Sequence, residues 1–270
     1  MADYIETYRG DVCPWEVDST EHFTVAYYYE KFEAATWRFL KKLGVDATRA
    51  ITIGAVTHYK AELRNRDIYF IETALISKAK NPVIGHKLFK ADTQTLCTTM
   101  QQTLLDITID TPTTTWDGDA KEDRQIPGDD ASWMPTLKNT IRPEEKNLSG
   151  YLSLPGYIHR FSTANSFVMA AFGLTPEYLT KSRIGLSTFE FQLDFYEQSR
   201  PGDIVDIESC IAQLGKSSVR FYHRMINAET GAKIAGLSQY GVHLDLDSRR
   251  PSPIPDSLRK NAESILPTSS

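Results

Sequence analysis

Asp18 and His22 lie four residues apart, just ahead of a helix-like run from Val25 to Leu43. A carboxylate and an imidazole placed there bring acid/base chemistry next to the unpaired N–H groups of a helix start, near Val25 and Ala26. Those N–H groups favour negative charge. An Asp before a helix also serves as an ordinary cap or turn residue, so the pattern alone leaves both uses open.

The elements that must hold these residues occur twice. A shift of 129 residues places Thr7, Pro14, Glu16, Tyr28, Phe32, Ala35 and Gly44 on Thr136, Pro143, Glu145, Tyr157, Phe161, Ala164 and Gly173. Further on, Asp67 to Glu72 parallels Asp203 to Glu208 at a shift of 136. This is an internal duplication with a period too long for a solenoid. Each half reads as a short strand (Tyr8 to Cys13; Leu137 to Arg142), one helix, then several strands. Tyr28, Phe32, Ala35, Phe39 and Leu43 form one apolar helical face, as do Tyr157, Phe161, Ala164, Val168 and Phe172. Gly44 and Gly173 stand where each helix is expected to end. Strands are expected over Thr52–Leu63, Ile68–Ser77, His86–Ala91 and Leu96–Ile107. In the second half they are expected around Phe189–Phe195, Ile204–Ile211 and Val219–Ile226. The fold class is α+β, with each antiparallel sheet wrapped around its own long helix. The organisation is 1–110 as first repeat, 111–132 as a polar connection that is mobile or laid over the surface, and 133–250 as second repeat. A tail, 251–270, carries a short helix.

The second copy lacks the chemistry. Asn147 stands for Asp18, Tyr151 for His22 and Pro155 for Ala26. An amide is no general base, and a proline has no N–H to donate. One equipped half and one structural half are expected.

Composition narrows the classes. The net charge is −5 with no long basic run, against nucleic-acid binding. Three scattered cysteines fit neither a disulfide framework nor a zinc site, and the six histidines show no paired metal spacing. No apolar run is long enough to span a bilayer, and the N-terminus does not read as a signal peptide. A cytoplasmic protein that does not act at a membrane is expected. Gly215-Lys216-Ser217 lacks the upstream glycine of a phosphate loop.

The run Asp18-Ser19-Thr20-Glu21-His22-Phe23-Thr24-Val25-Ala26-Tyr27-Tyr28-Tyr29-Glu30-Lys31-Phe32-Glu33-Ala34-Ala35 resembles the hot-dog-fold acyl-CoA thioesterases of the 4-hydroxybenzoyl-CoA thioesterase type. The spacing from Asp18 to Glu33-Ala34-Ala35 matches without a gap. The chain departs at Glu21, where that family favours Gly, and at Phe23 and Thr24. The resemblance implies a double hot-dog, with two fused repeats forming the dimer that single-repeat members make from two chains. It implies acyl-CoA thioester hydrolysis, with Asp18 as general base or nucleophile and the Val25 N–H polarising the carbonyl. His22 would orient Asp18 or bind substrate, and Tyr27 or Tyr29 would line the acyl pocket unless both belong to the core. His58 and Glu62, placed by alternation on one strand face with Lys60, are further candidates. Because substrate lies between repeats in fused hot-dogs, so are Tyr157, His159 and Ser187. No metal or organic cofactor is expected, since coenzyme A arrives within the substrate; higher homo-oligomers are possible. The alternatives are an enoyl-thioester hydratase or dehydratase of the same fold, and a non-catalytic acyl-thioester binding protein.

Overall fold

A computed structural model describes residues 4–18, 21–263 and 265. The chain divides into two compact units. The first gathers Met1–Lys121, Arg142–His159 and Gln198–Pro201; the second gathers Glu122–Ile141, Arg160–Glu197 and Gly202–Ser270. Among the described residues, no helix is long and apolar enough to cross a membrane.

In the first unit, β1 (Ile5–Asp11) is followed by α1 (Val25–Lys42), β2 (Thr52–Tyr59), β3 (Ile68–Ser77), β4 (Val83–Lys90) and β5 (Thr95–Leu104). The strands pair antiparallel in the order β1-β3-β4-β5-β2. The expected stripe buries Tyr28, Phe32, Ala35 and Phe39. Full burial of each large side chain contributes about 2 kcal/mol. The helix stops in a Schellman turn: Gly44, at φ +72°, donates to the Lys41 carbonyl, and Val45 donates to that of Leu40.

The second repeat runs through β6 (Met134–Thr140), α2 (Leu154–Phe172), α3 (Pro176–Ser182), β7 (Ile184–Phe195), β8 (Ile204–Leu214), β9 (Ser218–Asn227) and β10 (Lys233–Asp245). Its order, β7-β10-β9-β8-β6, reproduces that of the first repeat. The same Schellman turn recurs, with Gly173 at φ +99° donating to Ala170 and Leu174 to Met169. Both repeats therefore carry the hot-dog plan of one long helix and one five-stranded antiparallel sheet. The tail folds as α4 (Asp256–Glu263), whose Leu258 and Ala262 pack with Phe172, Ile211 and Phe221.

The duplication extends into the buried polar groups. Each edge strand bulges at its threonine, Thr7 in β1 and Thr136 in β6. Thr7 Oγ1 meets Thr73 Oγ1 at 2.6 Å, and Thr73 meets His86 Nδ1 at 2.9 Å. Thr136 Oγ1 meets Ser209 Oγ at 2.7 Å, and Ser209 meets His223 Nδ1 at 2.6 Å. Both histidines are fully buried, and burial depresses their basicity, to about 4 for His86 and about 3 for His223.

Two features depart from these expectations. β2 ends at Tyr59, not Leu63, because the N–H groups of Lys60 and Ala61 both turn onto the Cys97 carbonyl. Glu62 therefore shares no strand face with His58. The helix α3, capped by Thr175 with Pro176 in its first turn, was not anticipated. Of the two alternatives for the connection, residues 114–119 take the second and are laid over the first sheet. Thr114 donates to the Leu75 carbonyl, and Asp119 pairs with Lys60. The Trp116 ring covers Gly85, where any Cβ would come within 2.6 Å of the indole.

Candidate active site

The site grows from a short turn that both repeats build alike. Pro14-Trp15-Glu16 forms a 3-10 turn whose Glu16 is 4% exposed. Its carboxylate accepts from the Cys13 N–H at 2.9 Å and pairs with the buried Lys31 of α1 at 2.7 Å. Its carbonyl accepts from the Thr24 N–H and hydroxyl. Glu16 thus ties the loop's two ends to the first turns of α1, and Glu145 does the same through Arg142 and Ser153.

Inside this frame lies the Asp18 loop. Asp18 donates its N–H to the His22 carbonyl at 2.9 Å, and its Oδ1 accepts from the His22 N–H at 3.2 Å. Glu21 donates to the Asp18 carbonyl and sits at φ +63°. Asn147 reproduces each bond: its N–H goes to Tyr151 at 2.7 Å, its Oδ1 accepts from the Tyr151 N–H at 3.2 Å, and Gly150 donates to its carbonyl. Gly150 occupies the place of Glu21, at φ +81°.

His22 points to a small charged group. Its Nε2 lies 3.2 Å from Glu62 and 3.4 Å from Arg64 Nη2. The loop after β2 therefore brings Glu62 to His22, by a route other than the strand alternation that suggested it. His58 lies apart, close enough to Asp119 to help keep that carboxyl below its usual range, behind the larger effect of Lys60. Tyr27 meets His159 edge-on at a ring separation of 5.7 Å. Tyr157 is buried, its hydroxyl accepting the Ser199 N–H at 3.3 Å. Ser187 lies on β7 opposite Val242 of β10.

The two helix starts differ most. At α1, the Thr24 hydroxyl is spent on the Glu16 carbonyl and gives no cap. Among the described residues, the N–H groups of Val25 and Ala26 meet no acceptor. At α2, every corresponding donor is taken or missing. Leu154 N–H goes to Glu33 Oε1 at 3.2 Å, Pro155 has none, and Gly156 N–H goes to Ser153 Oγ at 3.3 Å.

Glu33 is the residue that sequence reasoning passed over. It is 6% exposed, and burial raises its pKa to about 7. Hydrogen bonds from the Leu154 N–H and the Asn147 side chain oppose that rise. Asn147 Oδ1 already accepts from Ser149 and Tyr151, so its amide N–H₂ faces the carboxyl. The available signal was an acidic residue inside the apolar-periodic helix, with Ser162 at its place in the second repeat.

Comparison with known proteins follows this geometry. A family model described as the thioesterase-like superfamily matches residues 12–122 and 141–262, one match for each repeat. A betainyl-CoA thioesterase of Pseudomonas aeruginosa is 24% identical over 132 residues, which is 49% of this chain and 83% of that protein. Among solved structures, a putative oleoyl thioesterase from Lactobacillus plantarum superposes with TM-score 0.68 at 10% identity, covering 90% of this chain and 98% of the other. An acyl-ACP thioesterase from Bacteroides thetaiotaomicron gives 0.65 at 11% identity, covering 87% and 96%. These structures share the double hot-dog fold, and the chain belongs to the thioesterase-like superfamily.

Proposed function

We propose that this protein is an acyl-CoA thioesterase with one site per chain, at Asp18 and the start of α1. Water attacks the thioester carbonyl carbon as Asp18 takes its proton, and the carbonyl oxygen becomes an oxyanion. The N–H groups of Val25 and Ala26 donate to that oxygen. Collapse breaks the C–S bond; the departing thiolate of coenzyme A takes up the proton, and the carboxylic acid is released. In the nucleophilic variant, an Asp18 oxygen attacks the carbonyl carbon, the C–S bond breaks and coenzyme A leaves as thiolate; water then cleaves the mixed anhydride, returning the Asp18 carboxylate and the carboxylic acid, and the remaining water proton passes to the thiolate. His22, with Glu62 and Arg64 on its far side, orients the Asp18 loop.

The observation that carries this reading is the pair of N–H groups at the start of α1 that meet no acceptor among the described residues, at the end of a loop that presents a carboxylate. The relative that acts on betainyl-CoA supports a thioester substrate. The experiment is thiol release from a panel of acyl-CoAs, comparing wild type with Asp18→Asn. A loss of 10²-fold or more in kcat is expected. Retained thiol release by the variant would remove Asp18 from the mechanism. Hydration of crotonyl-CoA without thiol release would favour the hydratase, and binding without turnover a carrier.

A further inference from the structure

A groove of about 750 Å³ lies among β1, the half of α1 away from Val25, and Leu148 of the Asn147 loop. Tyr8, Arg9, Trp37, Arg38, Lys41 and Lys42 line it. Four cations thus gather in one concave surface of a chain whose net charge is −5. The opposing carboxylate is Glu6, which pairs with Arg9 at 2.6 Å; its backbone carbonyl takes the Lys42 ammonium at 3.2 Å. Arg9 chiefly, with Arg38 and Lys42, holds the Glu6 carboxyl below its usual range, which places these cations around one point. Asp46, near Lys41, is occupied in capping Thr48. Among the described residues, Arg38 and Lys41 meet no carboxylate within ion-pair distance. The second repeat has nothing comparable: Ser166, Phe167, Ala170 and Ala171 stand where Trp37, Arg38, Lys41 and Lys42 stand in the first.

We propose that this groove binds the phosphorylated nucleotide of coenzyme A. A ribose phosphate and a diphosphate match converging guanidinium and ammonium groups, and the Trp37 indole offers a planar surface for a purine. Trp37 lies twelve residues beyond Val25, about 18 Å along the helix at ~1.5 Å per residue. An extended pantetheine arm spans that distance, so the thioester reaches the start of α1 while the nucleotide stays in the groove. The inference rests on the acyl-CoA reading above, and it places the nucleotide on the same repeat as Asp18.

The test compares wild type with Arg38→Glu/Lys41→Glu, both exposed positions outside the catalytic group. Titration with free coenzyme A is expected to show at least a tenfold weaker Kd in the variant, with a shallower dependence on salt. In turnover, KM for acyl-CoA is expected to rise tenfold or more while kcat stays within twofold. KM for the matching acyl-pantetheine, which lacks the nucleotide, is expected to be unchanged. Equal coenzyme A affinity in the two proteins would overturn the proposal. So would equal losses on acyl-CoA and acyl-pantetheine, or an effect confined to an acyl-carrier-protein thioester. A wild type that binds coenzyme A through the groove but hydrolyses no thioester would sink the functional reading and leave the groove intact. Lys42→Glu alone is the second variant should the pair not fold.

Discussion

The loops around Asp18 and Asn147 have the same hydrogen bonds and opposite endings. Each is anchored by a glutamate two residues earlier, Glu16 or Glu145, and each returns a side-chain oxygen to the N–H four residues on. The first loop then opens onto a helix start whose first N–H groups meet no described acceptor. The second opens onto one whose donors are used by Glu33 and Ser153 or deleted by Pro155. Scaffold and reactive equipment are therefore separable. Duplication preserved the turn, the bulge threonines and the Schellman glycines, while the donors at the helix start diverged.

The largest expected effect comes from giving the first repeat the second's proline. Ala26→Pro removes one of the two N–H groups proposed to hold the oxyanion, at a first-turn position where proline fits a helix, as Pro155 demonstrates in the same fold. Thiol-release kinetics should show a 10²- to 10³-fold fall in kcat, with little change in melting temperature. An unimpaired Ala26→Pro enzyme would mean that the carbonyl is polarised elsewhere.

The reverse exchange should not create a second site. Asn147→Asp sets a new carboxyl against Glu33, where the Asn147 amide now donates. Two carboxyls sharing that space cannot both ionise. In an Asp18→Asn background, Asn147→Asp is expected to restore no thiol release and to destabilise the fold by about 1–3 kcal/mol in urea titrations. Adding Glu33→Ser, the residue type at its place in the second repeat, relieves the repulsion but leaves Pro155 in the way, so activity should stay absent.

Glu33 also gives the comparison a pH signature. Its folded pKa, near 7, exceeds the ordinary value of 4.5, so between these limits the folded chain holds a proton that the unfolded chain has lost. Raising the pH through that window therefore favours unfolding, by an amount on the order of 3 kcal/mol, and above it the cost is constant. His86 and His223 act oppositely. Their depressed values make the folded chain bind fewer protons, so stability is lost as pH falls from 6.5 toward about 4 for His86 and about 3 for His223. Denaturation of Glu33→Gln and wild type across pH 4.5 to 7 isolates the first effect, because the histidines contribute equally to both proteins: the stability difference should move in the variant's favour as pH rises, by on the order of 3 kcal/mol. Parallel slopes for both proteins would show that Glu33 ionises normally.

Much of this plan was legible in the sequence because periodicity and repeat spacing report backbone requirements. The helix stripe from Tyr28 to Phe39, the glycines at 44 and 173, and the exchange of Asp18 for Asn147 all follow from local rules. What escaped depends on partners distant in the chain. Glu33 is 121 residues from the N–H that it occupies. Glu62 reaches His22 only because β2 stops early on the Cys97 carbonyl, and no residue type at 60–62 signals that stop. Thr7 and Thr136 were visible as an identity, but their reason, a bulge that turns a hydroxyl onto a buried polar pair, needed the neighbouring strand. The basic groove was hidden because Arg9 and the cations of α1 are separated by some thirty residues.

The smallest predicted effect tests whether the two loops share one backbone. A non-glycine residue at φ +63° carries a steric penalty from its Cβ against the backbone, and Gly150 shows the relaxed solution at the same place. Glu21→Gly should therefore relieve about 1 kcal/mol of native-state strain, offset in part by the larger entropy of the unfolded chain. Gly150→Glu should introduce about the same strain, likewise offset in part by the smaller entropy of its unfolded chain. A net stabilisation of a few tenths of a kcal/mol for Glu21→Gly, against a loss of similar size for Gly150→Glu, is the expected outcome by thermal melts. If Glu21→Gly instead lowers both stability and kcat, the Glu21 side chain contributes a contact that compensates its backbone. The Asp18 loop would then be held by its own chemistry as well as by the shared turn.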